Sequence, residues 1–231
     1  MRARDTAVGA AAVVLITGGL TAAAPQPLSL FDTVSAALLG SEGTYLQFIG
    51  TAVLYIGFAY LLTLPYSERR ETWMQLELLR HGSNARWLTA AVGRNLVPII
   101  TFPIALGALS TGWYLALGGR TFTLPSTGLA AWSFQLVING SLQLLVYVLI
   151  LLTATIGTSN RIGGLAATAV LVALALPRRQ PLPALPVQLS GMTYAQHGWA
   201  SALPATATLL VATVLISAAA LLVLRRLHRT A

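Results

Sequence analysis

The chain has no cysteine and no lysine, and it carries only six acidic residues in 231. Without cysteine, neither a disulfide nor a thiolate metal site can form. Without lysine, a phosphate-binding loop cannot be completed, so any energy drawn from a nucleotide has to come from another polypeptide. The acids Asp5, Asp32, Glu42, Glu68, Glu71 and Glu77 all lie outside the long apolar runs. That disfavours proton- or sodium-coupled transport, which relies on carboxylates inside the membrane. The three histidines, His81, His197 and His228, fall in separate segments, against a shared metal site. Every basic residue is an arginine, which we read as codon bias of a GC-rich, bacterial genome.

Apolar sequence fills the space. Hydrophobic residues make up 56% of the chain and charged residues 9%, whereas about a quarter of the residues of a soluble domain are charged. The composition is that of an integral membrane protein. Six apolar runs predict an all-α membrane protein with spans at about 7–24, 45–64, 95–118, 129–156, 162–177 and 205–224 in one transmembrane domain; a span needs about 20 residues to cross a core of about 30 Å. The triplet Ala22-Ala23-Ala24 before Pro25 also fits a signal-peptidase site; the reading taken here keeps the first run as a span. Pro65 is expected to close the second span, and Pro98 and Pro103 in the third free backbone carbonyls that packing or a bend must compensate. Segments 25–44 and 178–204 are neither polar enough for free linkers nor regular enough for spans, and they are expected at the outer interface. Within them, Phe31 to Leu39 predicts a short helix, and a second element is expected around Tyr194, His197 and Trp199.

Orientation follows from the arginines. With both termini inside, Arg2, Arg4, Arg69, Arg70, Arg80, Arg86, Arg94, Arg161, Arg225, Arg226 and Arg229 are cytoplasmic, eleven against the three of Arg120, Arg178 and Arg179. The positive-inside rule therefore predicts N-in and C-in. The net charge of +8 sits where topology needs it, not on a surface for nucleic acid.

Residues 66–94 form the only long charged stretch, with five arginines and three acids between two spans. From Arg69 to Arg80 there is no glycine or proline, and the residues are good helix formers. Trp73, Leu76 and Leu79 make one apolar stripe; Met74 and Leu78 make a second on the opposite side, with Arg70 and Glu77 at the edge. A helix with two apolar stripes has two surfaces to bury. Gly82 suits the left-handed residue that ends a helix, and Ser83 or Asn84 can cap the start of the next.

Polar residues inside the spans are few but patterned. Gln135, Asn139, Gln143 and Tyr147 recur every four residues along the fourth run, placing amides and a phenol on one face. That face has to meet another helix or a watery cavity, as interhelical glue or as a substrate lining. Ser190 and His197 are both outer, yet they lack the local signature of a nucleophile and base.

Six spans with both ends inside, a charged helix between spans two and three, and an apolar outer segment between spans five and six resemble the permease subunits of type-2 ABC exporters. The closest local likeness is LELLRHGSNARWLTAAVGRNL, Leu76 to Leu96, which is similar to small bacterial permeases for drug, lantibiotic or peptide export. SLFDTVSAALLGS resembles their outer segment more weakly. The resemblance implies that the helix at 69–80 is a coupling helix seated on a separate ATPase subunit through Arg70, Trp73, Met74, Leu76, Glu77, Leu78, Leu79 and Arg80. It implies no catalytic residue and no cofactor on this chain, with ATP and magnesium on the partner. It further implies a second permease copy, a lipid environment in the plasma membrane, and a hydrophobic or amphipathic cargo. Gln135, Asn139, Gln143 and Tyr147 are then candidate cavity residues. A scaffold subunit and a membrane-embedded enzyme acting on lipid or peptide are the alternatives.

Overall fold

A computed structural model describes residues 3–24, 29–38, 45–67, 80–158, 161–175, 189 and 191–230. Among them there is no strand. The helices are α1 (Ala3–Ala22), α2 (Leu30–Ala37), α3 (Tyr45–Ser67), α4 (Asn84–Ala116), α5 (Leu129–Thr158), α6 (Arg161–Ala175), α7 (Thr193–Gln196) and α8 (Trp199–Thr230). Helices α3, α4, α5 and α8 are long and apolar enough to cross a membrane, which makes this a multi-pass, membrane-embedded chain. The apolar parts of α1 and α6, Gly9–Ala22 and Ile162–Leu174, are shorter; they occupy the first and fifth of the six expected spans.

Helix α5 is the axis of the bundle. Of its span 61% is buried, against 22% for α8, and α3, α4, α6 and α8 all pack on it. The largest core cluster runs from Leu20 through Ile56, Phe102, Leu106, Leu144 and Leu151. Phe58 stacks on Phe102 with ring centroids 4.0 Å apart, and Tyr55 meets the same ring edge-on.

Helix ends follow their capping chemistry. Ser29 accepts from the Asp32 backbone N–H at 3.3 Å, and its hydroxyl donates to the Asp32 carboxylate at 2.6 Å, so α2 starts where the expected Phe31–Leu39 helix lies. Ser83 accepts from the Arg86 N–H at the start of α4, and Gly82 before it has φ +68°, as the 82–84 break predicts. At the far end of α4 the Gly119 N–H reaches Tyr114 O and the Gly118 N–H reaches Leu115 O, with Gly118 at φ +87°. This is a Schellman stop.

Two boundaries differ from expectation. Helix α3 runs through Pro65 to Ser67, with only two helical residues after the proline; nearby, Thr63 Oγ1 donates to Tyr60 O. Helix α8 begins at Trp199, six residues before the apolar core expected at 205, and Trp199 lies 5.1 Å from the Phe134 ring. Helix α4 begins at Asn84, as the Ser83–Asn84 cap predicts and eleven residues before its apolar core, with Trp87 of the added turns buried. Helix α4 also continues through Pro98 and Pro103, and Pro103 is buried against Gly140 of α5.

Helix α1 is wedged in place by two close approaches. A Cβ on Gly18 would sit 2.6 Å from the Trp113 ring of α4, and one on Gly50 would sit 2.6 Å from Leu20. The Trp113 indole N–H donates to Val14 O at 3.1 Å across the same contact. Gly18→Val is therefore expected to push α1 off α4 and cost about 1–3 kcal/mol by overpacking; chemical unfolding in detergent measures it, and an unchanged midpoint refutes the wedge.

Candidate functional site

In an α-helix every fourth residue drifts about 40° around the axis, so four residues at that spacing spread over about 120°. Helix α5 reduces the spread with a π turn at Gln135–Asn139, whose looser winding takes back part of the drift. Gln135, Asn139, Gln143 and Tyr147 are consequently all buried, each at most 1% exposed.

Two glutamines bracket one residue of the segment between α6 and α7. Gln135 Nε2 donates to Leu189 O at 2.8 Å and to Gly191 O at 3.1 Å. Gln143 Oε1 accepts from the Leu189 N–H at 2.8 Å. Both backbone polar groups of Leu189 are thus satisfied by side chains two helical turns apart. The Leu189 side chain is buried with Val146, Ala205, Leu209 and Ala212.

Asn139 extends the network to α8. Its Nδ2 donates to Gln135 Oε1 at 2.5 Å and to Ala202 O at 3.1 Å. The Thr206 hydroxyl lies 2.6 Å from Asn139 Oδ1 and 2.8 Å from Ala202 O, one proton between two acceptors. Further ties surround the segment: the Met192 N–H donates to Leu38 O after α2, and Thr127 Oγ1 donates to Ala195 O. Irregular backbone is tolerated in a membrane domain only where its polar groups are met internally. The amide stripe meets them here.

A second junction lies at the end of the bundle where α4 begins and α8 finishes, the charged end. Trp87, Leu88 and Ala91 of α4 pack with Leu149, Leu152 and Ile156 of α5 and with Ala220 and Leu224 of α8. Tyr66 of α3 joins them: its ring meets Trp87 edge-on at 6.1 Å, and its hydroxyl donates to Ala91 O at 3.3 Å. Four helix ends therefore close on Trp87, which is 2% exposed.

No family model, no curated protein and no solved structure matches this chain. Function has to be argued from these two junctions.

Of the expected coupling residues, Arg70, Trp73, Met74, Leu76, Glu77, Leu78 and Leu79 lie outside the described residues. Arg80 is helical and exposed, six residues ahead of Arg86 on α4. The amide stripe comes together as expected, and the described bonds of Gln135 and Asn139 run to the chain itself. Tyr147 lies with the main core cluster. His197 is exposed in a turn and Ser190 is outside the described residues. Among the described residues no three metal-ligating side chains converge.

Sequence reasoning missed Trp87, Thr206 and the Leu189 clamp. A signal existed for the first: Trp87 stands three residues after Asn84, with Ala91 one turn on, the spacing of a buried stripe. None existed for Leu189, whose neighbours give no hint that two glutamines in another helix will hold it.

Proposed function

We propose that the chain is the permease subunit of an ATP-driven exporter, with six membrane-crossing segments, both termini in the cytoplasm, and ATP hydrolysed by a separate subunit. The observation that carries this reading is the Trp87 junction. The charged stretch 66–94 leads, without a flexible linker after Gly82, into a helix whose first turns are locked to the ends of α3, α5 and α8. A force applied by a partner to the helix expected at 69–80 would pass through Trp87 into four helices together. A solvated juxtamembrane helix has no need of such an anchor.

In this reading the two apolar stripes of the 69–80 helix bury against the ATPase on one side and the permease on the other. Closure of the ATPase dimer on ATP displaces the helix, α4 tilts about its outer Schellman stop, and a cavity between two permease copies opens to the other side. The cargo is hydrophobic or amphipathic, because the acids of the sequence lie outside the expected spans.

Pull-down from native membranes in mild detergent tests it. The expected result is a stoichiometric ATPase in the eluate, lost in Trp73→Ala/Leu76→Ala although the variant is still inserted. An eluate without ATPase activity defeats the proposal. It would favour a scaffold subunit, a reading supported by an amide stripe whose described bonds hold the protein's own outer segment.

A further inference from the structure

Helix α5 is two α-helical stretches joined by one loosened turn. The Gly140 N–H reaches back five residues to Gln135 O, so the turn Gln135–Asn139 holds one residue more than an α turn would. Its sequence, QLVIN, gives no local cause, for it contains neither glycine nor proline. Single π turns inside α-helices are rare and gather at functional sites. Here the two polar residues of the turn are tied to distant parts of the chain. Gln135 holds the carbonyls of Leu189 and Gly191, and Asn139 holds Ala202 O and meets the Thr206 hydroxyl. These bonds supply the cause that the local sequence lacks.

The two sides of the turn are anchored unequally. After it, Gly140 is pressed against α3 and α4 so closely that a Cβ would lie 3.0 Å from Pro103 and from the Tyr55 hydroxyl. Eleven residues of Gly140–Thr158 are buried, against only Ala131 of Leu129–Phe134. The first stretch is held by its edges instead. The Trp132 indole N–H donates to Ser35 Oγ of α2 at 2.9 Å, Phe31 meets the Trp132 ring edge-on at 5.1 Å, and Phe134 leans on Trp199 at the start of α8. Helix α7, just past Gly191, packs on the same stretch. An α turn in place of the π turn would need one residue fewer. With the chain length fixed, that change rotates one side of α5 against the other by one residue's step, about 100°. At the rim of the helix this is about 8 Å, and the less buried side, Leu129–Phe134, is the one that gives.

We propose that the Gln135–Asn139 turn is a two-position joint. It is wound as π while Gln135 and Asn139 hold the segment at Leu189 and Gly191 and the start of α8. It closes to α when that segment leaves, and the rotation of Leu129–Phe134 draws Trp132 off α2 and Phe134 off α8. Release of a short segment is thereby passed to two other elements as one discrete step, as packed, bistable contacts allow. The joint stands independently of the permease reading.

Because the chain has no cysteine, paired nitroxide labels can test it. Distances are measured by double electron–electron resonance on the full chain in nanodiscs, from Leu129→Cys to Leu115→Cys on α4 and to Leu210→Cys on α8, all exposed positions. Ile104→Cys/Leu210→Cys is the pair that should not change. Gln135→Leu should add a second distance to at least one Leu129 pair, displaced by up to about 8 Å, with faster amide exchange at Leu189 and Gly191. Deleting Ile138, an exposed residue of the turn, removes the extra residue while both sides of α5 keep their faces. In the shortened chain Gln135→Leu should leave the Leu129 distances single. Faster exchange with unchanged Leu129 distances overturns the joint, because the segment then leaves without turning anything. Unchanged exchange overturns it too, since the clamp then holds nothing. So does a second distance that survives the deletion, which marks loosened packing. If the shortened chain elutes unlike the wild type, the Gln135→Leu distances decide alone.

Discussion

Gln135→Leu should free the segment leading into α7 without removing the protein from the membrane. The substitution leaves the carbonyls of Leu189 and Gly191 without their donor and takes one partner from Asn139. Each buried polar group left unmet costs about 1–3 kcal/mol, so about 2–4 kcal/mol is expected here. Asn139→Leu should cost about 1–3 kcal/mol, because the Thr206 hydroxyl can still donate to Ala202 O while Gln135 Oε1 loses its donor. Gln143→Leu takes the acceptor from the Leu189 N–H and should cost about 1–3 kcal/mol. The effects of Gln135 and Gln143 should not add, because both act on Leu189. Amide exchange over Leu189 and 191–196 reads this directly. Faster exchange there, with the spans still protected, is the expected pattern; unchanged exchange in Gln135→Leu would show that the clamp holds nothing. Altered transport with unchanged exchange would instead assign the stripe a lining role.

Trp87→Ala should be the most damaging single change at the charged end. It removes a buried indole from a junction of four helices, for which about 3–5 kcal/mol is typical. Arg86→Ala, one residue away and exposed, should change stability by less than about 0.5 kcal/mol. Thermal unfolding in detergent distinguishes the two. In the proposed permease, Trp87→Ala has a second signature: the ATPase still co-purifies, because its seat at 69–80 is untouched, while ATP no longer drives transport. Trp87→Phe should restore part of the coupling by refilling part of the volume. Full transport by a stably folded Trp87→Ala protein would remove the junction from the mechanism.

These two sites were legible to different degrees. The amide stripe could be read from spacing alone, since polar residues four apart in an apolar run share a helix face that cannot be left against lipid. Its partners could not. The carbonyls of Leu189, Gly191 and Ala202 lie 54, 56 and 63 residues from the amides that hold them, and a backbone carbonyl has no side chain to announce its role. The π turn was equally hidden, because local composition does not distinguish it from α-helix. It brings Gln135 and Asn139 into register with a segment folded elsewhere.

What the sequence determined by itself is whatever depends on a short window. The membrane class follows from hydropathy summed over about 20 residues, the break at Gly82–Ser83 from a cap satisfied within three residues, and the shared face of the polar stripe from helical period. Tertiary structure alone decided how early α8 begins, that α1 docks on Trp113 through Gly18, and which groups the buried amides bind. The physical reason is common to all three. Each turns on a contact with a distant part of the chain, and the free energy of burying an indole or satisfying a carbonyl exceeds the local preferences that a window can read.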